Sequence, residues 1–227
     1  MKVSIIIPSY NEAPTLGKLV KQIQKVKIVH QKEIIIVDDG STDQTESILA
    51  KLKNKNGIKI IKNPKNLGKG ASIVKALKLA TGAIVVIQDA DLEYNPKDLP
   101  KLLAPFDGST VKAVYGSRVL GKNPVSHWTF YLGGRLVTLI TNLLYKTDIT
   151  DEPTGYKLFR SGLIRSLKLN CKGFEFCPEV TAKIAKINIK IHEVPISYNP
   201  RPLSQKKIKW YDGLAAIFYL LKYRFTN

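Results

Sequence analysis

The stretch VSIIIPSYNEAPTLGKLVKQIQKVKIVHQKEIIIVDDGSTD, residues 3–43, sets two short β-branched runs on either side of one amphipathic segment. The runs VSIII (3–7) and EIIIV (33–37) are nearly continuous in apolar residues, as strands buried on both faces are. Between them TLGKLVKQIQKV (15–26) spaces its apolar residues as a helix does. Strand, helix, strand is a βαβ unit, which places the two strands parallel in one sheet. The alternation continues through IKII (58–61), AIVVI (83–87) and VKAVY (111–115), with DQTESILAKLKN (43–54) and ASIVKALKLATG (71–82) as intervening helices. Gly82 stands where a helix C′ glycine would. The expected fold class is therefore α/β, a mostly parallel central sheet flanked by helices.

In such a sheet ligands bind beyond the carboxyl ends of the strands, so the residues after each run are the first candidates for chemistry. After the first run comes PSYNEA (8–13), where Pro8 ends the strand and Asn11 is placed to cap the next helix. Tyr10 and Glu12 in the same loop could hold a base and its ribose. After the second comes DDGSTD (38–43), in which Ser41 and Gln44 fit a capping box. Asp38 and Asp39, adjacent at a strand end, repel unless hydrogen-bond donors or a cation face them. After the third comes NPKNLGKGAS (63–72), whose glycines flank Lys69 ahead of a helix. This matches neither a P-loop nor G-x-G-x-x-G, and a plain helix entry and phosphate contact both remain open. After the fourth comes QDADLEY (88–94). Residues i and i+2 of an extended segment project to one side, so Asp89 and Asp91 can converge. Two such oxygen ligands suit Mg²⁺ or Mn²⁺ with a substrate's phosphates completing the shell, and the alternative is Asp91 as a helix N-cap.

The second half changes character. HWTFYLGGRLVTLITNLLYK (127–146) is apolar around much of its circumference, interrupted by Gly133, Gly134 and Arg135. GYKLFR (155–160) and INIKIHEVPISY (187–198) read as strands, and PEVTAKIAKI (178–187) as a helix. WYDGLAAIFYLLKYRF (210–225) is a last helix, rich in aromatics and edged with lysine and arginine. The halves are joined without a Gly/Ser linker, which suits one catalytic domain over 1–205 and a basic, aromatic helix over 206–227.

The chain has 36 lysines and arginines against 18 acidic residues, a formal net charge of +18. Such a charge attracts anions of any kind: nucleic acid, phosphorylated small molecules or an acidic membrane face. Nucleic-acid binding would group the lysines on one face among stacking aromatics, whereas here lysines run through most helices and the aromatics gather late. Cys171 and Cys177 form neither a zinc knuckle nor a disulfide framework, which suits a reducing cytosolic setting. The N-terminus lacks the long apolar core of a signal peptide, and no stretch reaches the about 20 apolar residues of a spanning helix.

PSYNEA, VDDGSTD, NLGKG and QDADLEY, in this order, resemble the family-2 glycosyltransferases of the GT-A fold. YGSR (115–118), DEPTGYKLFR (151–160), GFEFCPE (173–179) and EVPISYNPR (193–201) narrow the resemblance to dolichol-phosphate mannose synthases and dolichyl-phosphate glucosyltransferases. It implies a GT-A nucleotide-diphospho-sugar transferase fold with C-terminal interfacial helices. Pro8, Tyr10, Glu12, Asp39, Lys69, Gly70 and Asp89 would hold the nucleotide, and Asp89, Asp91 and Glu93 a Mg²⁺ or Mn²⁺ ion. Asp89, Asp91, Asp151 and Arg118 would be the catalytic set. Arg118, Arg135, Arg201, Lys206 and Lys207 would bind the phosphates and the acceptor.

The implied reaction moves mannose or glucose from GDP-mannose or UDP-glucose to a polyprenyl or dolichyl phosphate, inverting the anomeric centre. A lipid phosphate is already anionic at neutral pH and needs cations rather than a general base, which makes Asp151 a residue that orients a basic group or the sugar. The alternative is a saccharide acceptor in cell-surface polysaccharide or glycoconjugate synthesis, with Asp151 as base. A third reading is an inactive membrane-docking homologue, against which the paired Asp89 and Asp91 argue. A lipid acceptor implies a peripheral enzyme on the cytoplasmic face of a membrane, docked through helices 127–146 and 210–225. A homo-oligomer or a membrane-subunit partner is left open.

Overall fold

The computed structural model describes residues 1–53, 55, 57–108, 110–121, 123–125 and 127–226. Seven strands form one sheet: β1 (Lys2–Ser9), β2 (Gln31–Asp38), β3 (Ile58–Lys62), β4 (Ile84–Ile87), β5 (Ala113–Ser117), β6 (Lys157–Arg160) and β7 (Ile191–Pro195). Their order is β3-β2-β1-β4-β6-β5-β7. Strands β1 to β4 are mutually parallel, as the alternating sequence predicts. Strand β6 runs antiparallel to both β4 and β5, so the expected parallel sheet carries one reversed strand between them. β7 then pairs parallel with β5.

The apolar runs are continuous because alternate residues serve two cores. Val3, Ile5 and Ile7 face the first, together with Ile34 and Ile36, against α1 (Ala13–Lys25), α2 (Thr45–Leu52) and α4 (Leu99–Leu103). Ile6, Ile35, Val37, Val85 and Ile87 face the second, against α3 (Lys69–Leu77), α6 (Ser161–Ser166) and α7 (Phe176–Lys186). Every one of these strand side chains is buried, and each contributes on the order of 2 kcal/mol through area removed from water.

The long helices α5 (Trp128–Tyr145) and α8 (Trp210–Phe225) form a third, smaller cluster with α7 through Val137, Tyr145, Ala182, Leu220 and Tyr223. The Tyr145 hydroxyl donates to the Leu220 carbonyl at 2.6 Å. The outer faces of both helices stay in water, with Trp128, Leu139, Leu143, Trp210, Phe218 and Phe225 all more than half exposed. Among the described residues no helix is long and apolar enough to cross a membrane.

Three local expectations are corrected. Gly82 is not a helix C′ residue, since α3 ends at Leu77. Gly82 lies against β1 instead: a Cβ there would stand 2.6 Å from the Ser4 nitrogen, and its N–H donates to Ser4 Oγ at 2.8 Å. Asn11 does not cap α1, whose N-cap is Glu12. Its backbone is left-handed (φ 50°), and its side-chain oxygen accepts from the Thr42 N–H at 2.8 Å, tying two strand-end loops together. The Ser41–Gln44 capping box is absent too. Ser41 Oγ accepts from the Asn11 N–H, and Asp43 Oδ1 accepts from the Thr45 N–H at the start of α2.

At the opposite end of the sheet from those loops, Glu33 is a buried carboxylate shared by four segments. It accepts from Ser4 Oγ, from the Thr81 N–H at 2.5 Å and from the Gly82 N–H at 3.1 Å, and it pairs with Lys2 and Lys59. Burial alone would raise its pKa, but the bonds from Ser4, Thr81 and Lys2 outweigh that and hold the carboxyl far below the usual range. Stabilisation from a depressed carboxyl is present above its unfolded pKa of about 4.3 and is lost as pH falls through the native value. Glu33→Gln is therefore expected to cost about 2 kcal/mol of unfolding free energy at pH 7. The gap from wild type in urea titrations should close as the pH is taken below about 4. A gap independent of pH overturns this account.

Candidate active site

The carboxyl ends of β1, β2 and β4 open on one crevice of about 600 Å³, which continues between α5 and α8. Of the residues singled out from sequence, Pro8, Tyr10, Glu12, Asp39, Lys69, Asp89, Asp91, Glu93, Arg118, Arg201, Lys206 and Lys207 all line it. The chain reverses after β4 through Leu92, whose φ of 64° puts a non-glycine residue in the left-handed region. Strain of this kind gathers where function over-determines the backbone. The reversal lets Asp91 Oδ1 accept the Glu93 N–H at 3.1 Å and leaves Oδ2 towards the crevice.

Asp91 is not a helix N-cap; that place is taken by Asn95, whose side chain accepts the Lys97 N–H. Asp89 and Asp91 are instead met by cations from elsewhere in the chain. Lys69 Nζ lies 2.5 Å from Asp89 Oδ1, and Arg201 Nη2 lies 3.1 Å from Asp91 Oδ2. Arg201 also reaches Glu12 Oε1 at 3.1 Å, which Lys207 approaches at 2.8 Å. Even so the negative charge is in excess at Asp91. Burial first, then the neighbouring Asp89 and Glu93 carboxylates, raise its pKa to about 7 against the pull of Arg201.

That excess, on oxygen donors of two acidic side chains in one loop, fits a hard divalent cation. The predicted three-carboxylate set is not assembled, however. Both Glu93 oxygens face the 198–201 segment, accepting from the Tyr198 hydroxyl at 2.7 Å and the Arg201 N–H at 2.8 Å. No group of three or more ligating side chains converges among the described residues. Glu93 is a tether in this structure, with one oxygen held by the Tyr198 hydroxyl and the other by the Arg201 N–H.

Two further predicted contacts are redirected. Asp39 is satisfied by its own chain: it accepts from Asn63 Nδ2 at 2.7 Å and from the N–H groups of Leu67 and Gly68 at 3.0 and 2.8 Å. The donors expected from a ligand are supplied by the loop ahead of α3. Gly70 is not in the crevice wall. Its N–H donates to the Gly173 carbonyl at 3.1 Å, and a Cβ there would meet Cys171 Sγ at 2.8 Å.

Asp151 and Arg118 form a buried, two-pronged pair, with Nε–Oδ2 at 2.8 Å and Nη2–Oδ1 at 2.7 Å, and the Arg118 N–H also donates to Oδ2. Burial pushes the Asp151 pKa up, but Arg118 more than offsets this and holds the carboxyl below its usual range. Both of its oxygens are bonded to one cation, which lowers its affinity for a proton and makes it a poor base. Arg118 also borders a second cavity of about 270 Å³, shared with His127, Arg135 and Lys206. Arg135 lines only this smaller cavity, where its Nη1 donates to the Thr150 carbonyl at 2.9 Å.

Sequence reading passed over Tyr94, Tyr198 and Glu152. Tyr198 stood inside the quoted run EVPISYNPR, yet only the fold brings its ring beneath Arg118, 5.2 Å from the guanidinium carbon. The Tyr94 hydroxyl accepts the Gly155 N–H at 2.8 Å, and Gly155 is where the Asp89 carboxylate rests: a Cβ would lie 2.2 Å from Asp89 Oδ2.

The family model described as glycosyl transferase family 2 matches residues 4–167. A dolichol-phosphate mannosyltransferase of Pyrococcus furiosus is 32% identical over 98% of this chain, which spans 64% of that relative's length. A dodecaprenyl-phosphate galacturonate synthase of Rhizobium johnstonii is 26% identical over 88% of this chain and 60% of its own. Among solved structures, glucosyl-3-phosphoglycerate synthase from Mycobacterium tuberculosis superposes with a TM-score of 0.75 at 21% identity, covering 100% of this chain and 82% of the other. The same enzyme, solved with Mn²⁺, UDP and phosphoglyceric acid, gives 0.74 at 20% identity and covers 79% of that chain. The α/β architecture is thus that of the GT-A glycosyltransferases.

A carboxyl whose native pKa lies above its unfolded one lowers stability as pH rises between the two values. For Asp91 that window runs from about 4 to 7. With chelator present, Asp91→Asn is expected to raise the melting temperature at pH 8 by roughly 2–4 °C, the equivalent of about 1 kcal/mol. At pH 5 it should leave melting nearly unchanged. An equal shift at both pH values, by calorimetry, rules out excess charge at Asp91.

Proposed function

We propose, from the premise that this chain belongs to glycosyl transferase family 2, that it moves a hexose from a nucleotide sugar to a polyprenyl or dolichyl phosphate. The donor is GDP-mannose or UDP-glucose, the hexose mannose or glucose, and the anomeric centre inverts. The observation that carries the choice of acceptor is Asp151, held through both oxygens by Arg118. A sugar hydroxyl must lose its proton to attack and needs a general base, whereas a phosphate monoester, with its second pKa near about 6, arrives deprotonated. Its difficulty is approaching an anionic donor, and Arg118, Arg135 and Lys206 around the smaller cavity supply the cations for that. Arg118 is held rigid by Asp151, which is a positioning residue in this scheme.

The nucleotide lies across Pro8, Tyr10 and Glu12 at the carboxyl end of β1, with Asp39 shaping the loop that bears Lys69. Asp89 and Asp91 would hold a Mg²⁺ or Mn²⁺ ion, and Lys69 and Arg201, which pair with them here, would be available to the diphosphate. When bound, the ion neutralises charge developing on the leaving nucleotide, a Lewis-acid role. Arg201 and Lys207 close the nucleotide end of the crevice.

The apolar outer faces of α5 and α8, flanked by Lys209, Lys222 and Arg224, dock the enzyme on an anionic membrane surface, on its cytoplasmic face. Each basic residue near such a surface contributes roughly 1 kcal/mol. The 206–227 segment then serves both as the wall of the crevice and as the membrane contact.

Purified protein incubated with polyprenyl phosphate, Mn²⁺ and each labelled sugar nucleotide should carry label into the organic phase. Asp91→Ala should reduce that transfer by about 10²–10³-fold, the scale of losing electrostatic stabilisation of the leaving group. Label passing only to a soluble saccharide would favour the saccharide-acceptor reading. In flotation assays, Trp210→Ser combined with Phe218→Ser should release the protein from phosphatidylserine vesicles. Undiminished flotation would place the membrane contact elsewhere.

A further inference from the structure

Among the described residues, Glu152 is the only carboxyl group with both oxygens buried and neither hydrogen-bonded. The side chain is fully buried yet lines the crevice, as do Gly133, Gly134 and Val137 of α5 and Cys177 and Pro178 of α7. Its main chain is pinned on both sides. The N–H donates to Thr138 Oγ1 at 3.0 Å, and the carbonyl accepts from the buried Lys157 Nζ at 2.6 Å. Burial raises the Glu152 pKa, with the Lys157 ammonium and the Thr181 hydroxyl pulling the other way. The Thr181 hydroxyl shares a hydrogen bond with that of Tyr115 at 3.0 Å and makes none to either Glu152 oxygen. Buried polar groups in native proteins are almost always hydrogen-bonded, so a carboxyl left without partners on a cavity wall asks for a ligand.

Three parts of the proposed substrates could reach it. The isoprenoid chain has no hydrogen-bonding groups, and a phosphate is an anion that seeks Arg118 and Arg135 rather than a carboxyl. The hexose is neutral and carries neighbouring hydroxyls, each able to donate and to accept. The loop bearing Glu152 also borders the diphosphate end of the crevice, since Gly155 lies against the Asp89 carboxylate. The moiety attached to that diphosphate is the sugar. We propose that Glu152 hydrogen-bonds hydroxyl groups of the sugar being transferred and so selects among hexoses, an assignment that rests on the transferase reading. A site built to bond a hydroxyl rejects the analogue lacking it far more strongly than an apolar pocket rejects an extra group.

The test compares wild type, Glu152→Gln and Glu152→Leu on GDP-mannose, UDP-glucose and their monodeoxy analogues. In the wild type, removing the contacted hydroxyl should lower kcat/KM by at least about tenfold. In Glu152→Leu that penalty should fall to near unity while penalties at other positions stand, and Glu152→Gln should keep part of it. Deoxy penalties identical in wild type and Glu152→Leu overturn the assignment. Glu152→Leu should melt no lower than wild type, because it removes an unsatisfied buried carboxyl; marked destabilisation would make Glu152 a structural residue. If the wild type turns over neither donor, the transferase reading fails on its own. Calorimetry then still decides Glu152 by comparing each nucleotide sugar with its nucleoside diphosphate. A sugar-dependent gain lost in Glu152→Leu supports the assignment, and no gain in either protein overturns it.

Discussion

The guanidinium of Arg201 is what allows the acidic loops to share one crevice. It bonds Asp91 from the loop after β4 and Glu12 from the loop after β1, while the main-chain N–H of Arg201 donates to Glu93. Parallel strands necessarily deliver their following loops to one edge of the sheet, and here those loops carry Glu12, Asp39, Asp89, Asp91 and Glu93. So many carboxylates brought together with little water around them would repel, and burial makes that repulsion worse. Lys69 from the start of α3 and Arg201 and Lys207 from the connection between β7 and α8 offset it. The high net positive charge thus has a local counterpart, in a site where acid is concentrated and cations are imported.

The same constraint sorts the site's cations into two kinds. Arg118 is bound by Asp151 through three donors and seated over Tyr198, so its direction is set before any substrate arrives. Arg135 and Lys206, by contrast, keep most of their donors unengaged by carboxylates around the smaller cavity. A preset guanidinium flanked by adaptable ones suits an incoming anion, since the fixed dipoles need no rearrangement when charge develops. Glu33 shows the complementary arrangement at the far end of the sheet, where a buried carboxylate is fully surrounded by donors and serves stability alone.

The helices α5 and α8 couple this chemistry to the outside. Their inner faces pack on α7 and wall the crevice, while their outer faces present large apolar side chains to solvent. A monomeric soluble protein seldom leaves so many such residues on adjoining helices without a partner surface. In the proposed function, this pair of helices links the entry of a lipid-borne acceptor with the face that lies on the membrane.

Period alone carried much of this in the sequence. Two-faced apolar runs and intervening helical spacing placed β1 to β5, α1 and α8 within a few residues, because burial on both sides of a strand leaves no other pattern. The strand-end loops were legible for the same reason, and most of their singled-out residues do meet in one crevice. What the sequence could not decide was who satisfies whom. Asp39 finds its donors in backbone N–H groups 28 and 29 residues away, Glu93 turns to Tyr198, Gly70 faces Cys171, and Gly82 makes room for Ser4. The antiparallel turn of β6, which lays Gly155 beside Asp89 and Glu152 in the crevice wall, was equally hidden. Local pattern determines which element forms and which edge its loop occupies; hydrogen-bond partners are chosen by packing between segments far apart in the chain, and only the folded arrangement specifies those distances.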